Sequence, residues 1–373
     1  MKTNTPKASP APKAISQYWD HITEYELDDT WRAANDTPAY REYRKNFDSA
    51  QKRKHLGDFP LSIEIEASYF CNLKCPFCPR VVNLGEREVG HMSQELWDKI
   101  LAECRANGLN AILMDHEAES MMNPRFIGMV KDAKDAGILD IWLHTNANLL
   151  TPKKSEELIE AGITKINFSI DATDDAVYDV LRVGGSLAKV IKNVNEFLGI
   201  KLAKKAHHVR TRVSFVEQKE NLHQKQAFLE QWKDAKGLNM VTYQECVDFS
   251  LFEKPDADMA LSEKELEAKY KDAEPFHCSL PWEMPVIDTE ANVMPCGSPV
   301  REHTKDFILG NLNKGDTIKS CWKGPKMTAL RELHQKGEWY KNPVCRVCVK
   351  SMRDSKKSMR ALREKTAAVA AKD

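Results

Sequence analysis

The chain has 373 residues, which is long for one compact core and suits one large α/β domain with a smaller module beside it. Its 55 basic and 55 acidic side chains cancel, so no overall field favours nucleic acid or an anionic membrane, and a small-molecule partner is expected. No run of about 18 apolar residues occurs and the N-terminus lacks the apolar segment of a secretory signal, so a cytoplasmic location is expected.

The predicted elements begin after a tail. Residues 1–14 are Ala, Pro, Lys, Ser and Thr with almost no large apolar side chain, which predicts disorder. From residue 15 to about 57 the chain is charged and aromatic, with Trp31 and other rings at loosely helical spacing. We therefore assign residues 1–59 to a disordered tail and a helical extension.

From residue 60 onward, short β-branched or apolar runs alternate with helical segments, which predicts βα units around a parallel sheet. The alternation stops near Asp248, so residues 60–250 are predicted to form a partial (βα)6 TIM-like barrel. The six candidate strands are residues 61–67, 110–115, 140–145, 165–170, 209–215 and 239–244.

The remainder is predicted to form a small cysteine-rich module and a tail. An acidic helical segment at residues 251–276 precedes a β-like segment, PVIDTEANVMPC, and the module is assigned to residues 251–350. Residues 351–373 are basic and then Ala-rich, which predicts a solvated helix or a frayed end. Contact of this tail with nucleic acid is not favoured, because the chain as a whole is neutral.

Three of the ten cysteines follow the first predicted strand. Cys71, Cys75 and Cys78 stand as C-x3-C-x2-C in ASYFCNLKCPFCPR, where a parallel barrel places its chemistry. Cysteines of a cytosolic chain stay reduced and able to bind metal. Three thiolates leave one iron of a [4Fe–4S] cube without a protein ligand, whereas structural zinc usually takes four ligands.

This spacing, with the aromatic Phe77 before the last cysteine, resembles the radical S-adenosylmethionine (SAM) superfamily. The resemblance implies that the open iron binds SAM and that one electron cleaves SAM to methionine and a 5′-deoxyadenosyl radical, which removes a hydrogen atom from the substrate. It also implies a reduced flavodoxin or ferredoxin-type electron donor. The protein's task would be to position SAM against one C–H bond.

Two turns resemble SAM-binding turns of the family. The stretch EAESMMNP is similar to the family's GGEP-like turn and has Glu119 at the acidic position, which implies contact with the SAM ammonium group. Glu117 and Ala118 replace the two glycines. After the third strand, HTNANLL is similar to a TNG turn, with Asn146 as a SAM contact and Ala147 in place of Gly.

The fourth strand ends in INFSIDA, which is similar to the serine-and-aspartate ending of the family. The resemblance makes Ser169 and Asp171 candidate ribose contacts, although each could be a strand-end cap or turn residue. Arg182, in VLRVGGS, resembles an arginine common in these enzymes. Contact of Arg182 with SAM and a surface ion pair both stay open.

The second set of cysteines is Cys278, Cys296, Cys345 and Cys348. Four thiols in this arrangement also suit structural zinc. The segment resembles the SPASM or twitch module that follows many radical SAM domains, with Ala291 in place of the usual Gly. No further cysteine follows the C-x2-C pair, so one auxiliary cluster is expected, and two [4Fe–4S] clusters in all.

Three cysteines remain. Cys104, on the apolar face of a helix, and Cys321 are predicted to pack in the core. Cys246 follows the sixth predicted strand, at the barrel mouth. Its thiol could return a hydrogen atom to a substrate radical, as in radical SAM epimerases, or it could be a buried strand-end cysteine.

Polar side chains on the predicted strands could line the barrel and bind a polyhydroxylated or charged substrate, although half of them should face outward. The resulting hypothesis is a radical SAM enzyme that acts on a small polar substrate, such as a sugar or nucleotide sugar, for epimerisation or oxidation. The alternatives are a peptide-modifying maturase and a non-catalytic zinc-binding scaffold. The candidate lining residues are Glu64, Glu66, Asp115, His116, His144, Arg210 and Arg212.

Overall fold

A computed structural model describes residues 22–82, 90–253, 256–276, 278–298 and 307–370; the predicted disordered tail lies outside these ranges. One mixed sheet of ten strands forms its centre, in the order β1-β7-β6-β5-β4-β3-β2-β8-β9-β10. The strands are β1 Ile22–Glu26, β2 Ser62–Ile65, β3 Ala111–Leu113, β4 Asp140–Thr145, β5 Lys165–Ser169, β6 Arg210–Glu217, β7 Met240–Glu245, β8 Val286–Ile287, β9 Asn292–Met294 and β10 Gly310–Asn311.

The six strands β2 to β7 are parallel neighbours, which confirms the predicted partial barrel. Alternate residues such as Ile166 and Phe168 pack outward in the main core, while Lys165 and Asn167 line the inner face, here called the lumen. The carboxyl ends of β2 to β7 form one rim, here called the mouth.

Helices connect the strands and cover the outer face of the sheet. In α4, for example, Ser93 accepts a hydrogen bond from the Leu96 amide at the N-cap, and the helix ends at Gly108 in the left-handed region. The α-helices are α1 Thr30–Asn35, α2 Pro38–Gln51, α3 Pro79–Val82, α4 Gln94–Asn107, α5 Phe126–Asp135, α6 Pro152–Ala161, α7 Asp175–Leu181, α8 Leu187–Ala203, α9 Lys225–Trp232, α10 Glu263–Tyr270, α11 Leu280–Glu283, α12 Ile318–Lys323, α13 Pro325–Gln335 and α14 Pro343–Ala370.

The N-terminal extension differs from the helical prediction at its start. Strand β1 pairs antiparallel with β7, and the ring of Tyr25 meets that of Tyr243 edge-on at 5.8 Å between centroids. The hydrogen-bonding groups on the outer side of β7 are satisfied by this pairing, which overrides a loosely helical pattern of aromatic residues. Helices α1 and α2 follow, as predicted for the extension.

The cysteine-rich module continues the same sheet. Strand β8 pairs parallel with β2, and β9 folds back antiparallel on β8. Helix α14 runs unbroken from the Cys345–Cys348 segment, so the predicted boundary at residue 350 falls inside one helix. In the described residues, no helix combines the length and apolar character needed to cross a membrane.

Candidate functional site

The first cysteine loop, residues 71–78, begins six residues after the last residue of β2 and contacts the turn after β3 and the end of α7. The Cys78 thiol donates to the Glu117 carbonyl at 3.9 Å, and a terminal nitrogen of Arg182 lies 3.8 Å from Cys75 Sγ. Burial raises the pKa of the thiols of Cys71, Cys75 and Cys78, the last to about 11. An iron atom must therefore displace protons to bind them.

Arg182 connects this loop to the fourth parallel strand. Its guanidinium pairs with the Asp171 carboxylate and lies over the Phe77 ring at 5.3 Å from the centroid. Asp171 is fully buried, sits in the left-handed region (φ 68°) and accepts from the Val216 amide at 2.8 Å. Asp171 therefore orients Arg182 beside the cysteine loop, and its contact with the SAM ribose stays a prediction.

Glu119 meets the turn after β4 at the mouth. Its carboxylate accepts from the Asn146 amide and the Thr145 hydroxyl, both at 2.9 Å. Burial raises the pKa of Glu119 to about 7 despite these bonds. The Asn146 side chain donates to Asn72, in the cysteine loop, at 2.9 Å. The fold thus brings Glu119, Asn146 and the three-cysteine loop together.

The two alanines at family glycine positions adopt backbone angles that glycine favours. Ala147 has φ 58° and Ala291 has φ 68°. Ala147 is held there by the Asn193 side chain, which donates to its carbonyl at 2.7 Å. The turns therefore keep the path that glycine would allow, at a cost of about 1–2 kcal/mol per residue.

A chain of polar contacts crosses the lumen below the mouth. Arg212 donates to the Asn167 side chain at 3.0 Å and lies 3.4 Å from His144 Nε2. His144 Nδ1 lies 3.0 Å from an Asp115 oxygen. Ser169 follows Asn167 on the same face of β5. Asn167 is not among the residues predicted from the sequence, although the two-residue period of β5 places it beside Ser169.

A second pair of lumen side chains, His116 and Glu64, lies next to Cys296 of the second cysteine set. His116 Nδ1 lies 2.5 Å from Glu64 Oε1; burial opposes a proton on His116, but Glu64 and then Glu117 raise its pKa to about 9. A Cβ added at Gly297, next to Cys296, would lie 3.0 Å from the His116 ring. The Cys296 segment therefore lies directly against this pair.

Glu66 has a structural role. Its carboxylate accepts from both the amide and the hydroxyl of Thr289 at 3.1 Å, in the turn between β8 and β9. The side chain is fully buried at the edge between the barrel and the module. Glu66 therefore holds the hairpin, and a contact of this side chain with substrate stays a prediction.

The four C-terminal thiols lie close enough to influence one another. Burial raises the pKa of each, and the other thiols of the set raise those of Cys278, Cys296 and Cys345 further. His334 Nε2 lies 3.4 Å from Cys345 Sγ. In the described part of the chain, no three Cys, His, Asp or Glu side chains form a group for a single metal ion.

The three cysteines outside the two sets differ in burial and position. Cys104 and Cys321 are buried, in α4 and α12. Cys246, directly after β7, is half-buried and its amide donates to the Glu217 carbonyl at 3.1 Å. Burial, followed by Asp171, raises the pKa of Cys246 to about 12. This thiol is thus protonated and lies at the mouth.

The donor chemistry fits two iron–sulfur clusters. Three thiols of one loop, with Arg182 beside Cys75, match a cube with one open iron, and the four C-terminal thiols match a cube ligated wholly by protein. All ten cysteines are free thiols. Glu119 and Asn146 stand next to the three-thiol loop, where a ligand of the open iron would lie.

Comparisons with known proteins agree with this chemistry. A family model described as the radical SAM superfamily matches residues 65–209, and one described as SPASM, an iron–sulfur cluster-binding domain, matches residues 278–349. The native anSMEcpe structure with bound AdoMet is 18% identical with a TM-score of 0.54, covering 75% of this chain and 87% of that one.

Two curated relatives match over shorter segments. GTP 3',8-cyclase of Alkaliphilus metalliredigens is 30% identical over 138 residues, which cover 36% of this chain and 42% of the relative. PqqA peptide cyclase of Bradyrhizobium diazoefficiens is 30% identical over 128 residues, covering 34% and 32%. The chain thus spans less than half the length of these relatives. With both family models matched in the expected order, the chain belongs to the radical SAM superfamily, with a [4Fe–4S] cluster and SAM as cofactors and a C-terminal SPASM domain for further iron–sulfur binding.

Proposed function

We propose that this enzyme removes a hydrogen atom from a small polar substrate, such as a sugar or nucleotide sugar, for epimerisation or oxidation. The observation that carries this proposal is the polar lumen, where Arg212, Asn167, His144 and Asp115 present linked donors and acceptors below the mouth. Hydroxyl groups of a substrate match such a surface. When bound, the cluster and SAM supply a 5′-deoxyadenosyl radical that takes the hydrogen atom.

Different residues at the mouth would bind the catalytic cluster and SAM. Cys71, Cys75 and Cys78 would hold the catalytic cluster, and Glu119 and Asn146 would bind and orient SAM. Arg182, fixed by Asp171, would position the cysteine loop and could reach SAM, and Ser169 stays a candidate ribose contact. These roles rest on the contacts of Asn146 with Glu119 and Asn72 and on the contact of Arg182 with Cys75.

Cys246 would supply the hydrogen atom that completes an epimerisation. A hydrogen-atom donor must be a thiol and not a thiolate, and the raised pKa of Cys246 keeps it protonated. After each turnover the thiol is restored by one electron and one proton, and a flavodoxin or ferredoxin-type protein is the proposed electron source. Oxidation would need an electron acceptor instead, and Cys278, Cys296, Cys345 and Cys348 would hold it.

A peptide-modifying maturase is the second candidate, because one curated relative is a PqqA peptide cyclase. The zinc-scaffold alternative is set aside, since both family models belong to iron–sulfur proteins. The small-substrate proposal is placed first because of the polar contacts in the lumen.

The test is solvent-deuterium incorporation with a panel of UDP- and GDP-sugars in D2O. The wild-type enzyme is expected to form 5′-deoxyadenosine and return one sugar nucleotide with one added deuterium. Cys246→Ala should still cleave SAM but give no deuterated product, whereas the buried Cys104→Ala should behave as wild type. A product lighter by two hydrogens and free of deuterium would instead establish oxidation.

A further inference from the structure

A basic cavity of about 1330 Å³ lies at the amino ends of the barrel strands, opposite the mouth. Helices α1 and α2 form one wall, and the first residues of β2, β5 and β6 form another. Nine Lys and Arg side chains line it against three Asp and Glu, in a chain whose formal net charge is zero. Six of the nine have an ion-pair partner within 4 Å, and the remaining positive charge of this partly open cavity attracts anions.

Arg210 is a cation of this cavity whose charge is not balanced by an ion pair with a carboxylate of the described residues. Its guanidinium lies over the Trp31 ring, 4.6 Å from the centroid, and its Nε lies 3.0 Å from Met240 Sδ. Among the described residues no carboxylate lies within ion-pair distance of it, although Glu24 is near enough to influence its pKa. A half-buried guanidinium held on an aromatic face retains unused donors in a fixed plane.

Two more cations converge on the same space. Lys165 pairs with Asp140 at 2.5 Å and lies 3.9 Å from the Trp142 ring centroid. Arg44 lies over the Phe47 ring at 4.7 Å and makes a longer pair with Asp48, at 3.5 Å. Burial lowers the pKa of Lys165 to about 7, and both Arg44 and Arg210 act in the same direction.

Like charges gathered in this way destabilise the free protein and are relieved by an anion. A phosphate or diphosphate concentrates several charges in a small volume and matches the guanidinium fork with two oxygens at once. An acidic peptide spreads its charges and brings backbone N–H and C=O groups against aromatic walls that cannot satisfy them.

The cavity is continuous with the polar lumen, because His144, Arg212 and Gln244 also line it. We infer that this basic cavity binds the phosphate or diphosphate group of the substrate and so anchors the far end of a phosphorylated small molecule whose reacting part extends toward the mouth. The inference rests on the proposed function and specifies the substrate as a phosphate ester. The N-terminal extension then forms part of the substrate site.

The test measures pyrophosphate binding to the holoenzyme by titration calorimetry at low and high ionic strength. We expect wild type to bind, with weaker binding in high salt, and Arg210→Gln to bind about tenfold more weakly or worse. Arg210→Lys should bind with intermediate strength. Lys153→Gln, on the exposed face of α6, is the matched control and should bind as wild type does.

A wild-type enzyme that does not bind pyrophosphate, or an Arg210→Gln variant that binds it unchanged, overturns the inference. So does tighter binding of a triglutamate peptide than of pyrophosphate, which would favour the maturase. SAM cleavage by wild type with dithionite is measured separately. Pyrophosphate binding without any SAM cleavage would support the anion site and contradict the proposed function.

Discussion

The raised pKa of the buried Glu119 carboxyl group makes two testable predictions, one on stability and one on SAM binding. Burial raises its pKa from 4.5 to about 7, so the folded protein keeps the proton that the unfolded chain loses. The contribution of Glu119 to the free energy of unfolding of the metal-free protein is therefore most favourable below about pH 4.5 and is lost as the pH rises toward 7. Glu119→Gln cannot ionise and should gain stability relative to wild type over that window.

Urea unfolding of both metal-free proteins at pH 5 and pH 8 measures this difference. The same variant should bind SAM more weakly while keeping its full iron content, because the carboxylate would pair with the SAM amino group and does not ligate iron. An equal stability gap at both pH values would contradict the burial argument. Unchanged SAM affinity would remove Glu119 from the proposed SAM site.

His334 offers a residue-scale test at the other cysteine set. Burial, then Arg53, lowers its pKa to about 4, so its ring is neutral, and Nε2 lies 3.4 Å from Cys345 Sγ. An N–H donated to a cluster thiolate stabilises the reduced state. His334→Leu should lower the reduction potential of the auxiliary cluster, measured by an EPR-monitored titration, and His334→Gln should restore part of it. The exposed His223→Leu is the control.

At the scale of elements, α14 joins the auxiliary cysteines to the mouth. Cys345 and Cys348 lie in its first two turns, and Arg363, about four turns farther on, pairs with Glu217 and Glu245 at the carboxyl ends of β6 and β7. Glu217 is buried and therefore depends on its cationic partners. The helix is thus fixed at both the module and the barrel.

Arg363→Gln should release the far half of this helix. We expect amide hydrogen exchange in residues 353–370 and at the end of β6 to become about fivefold to tenfold faster, equivalent to about 1 kcal/mol of local opening free energy. Arg360→Gln is the matched control, because Arg360 pairs with Glu364 on the exposed face of the same helix. Equal exchange in both variants would show that the Arg363 pairs do not hold the helix.

The sequence predicted some elements better than others for physical reasons. The six parallel strands place apolar residues at alternate positions toward the covering helices, and this pattern is strong in the sequence; DIWLHT coincides with β4. Strand β1 was not predicted from the sequence, because ITEYE forms a strand through pairing with β7, which lies more than two hundred residues away. The Asp171–Arg182 pair and the basic cavity likewise depend on tertiary contacts that spacing does not encode.

For the whole molecule, the two thiol sets predict the total iron content. Reconstituted wild type should contain about eight irons, because an open and a closed cube hold four each. Replacing Cys71, Cys75 and Cys78 with Ala should leave about four irons and abolish SAM cleavage, whereas Cys345→Ala with Cys348→Ala should also lose about four. Retained SAM cleavage in the first variant would contradict the assignment of the catalytic cluster.

The pairing of β1 with β7 and of β8 with β2 has a consequence for the modularity of the chain. A partial barrel has two open sides, and each would present unpaired N–H and C=O groups on which another chain could add a strand. Here one flank is covered by the N-terminal segment and the other by the SPASM hairpin. A fragment cut at residues 60 and 250 would expose both flanks and should self-associate through them. The barrel segment should therefore fold as a monomer only when the N-terminal segment and the SPASM hairpin are expressed with it.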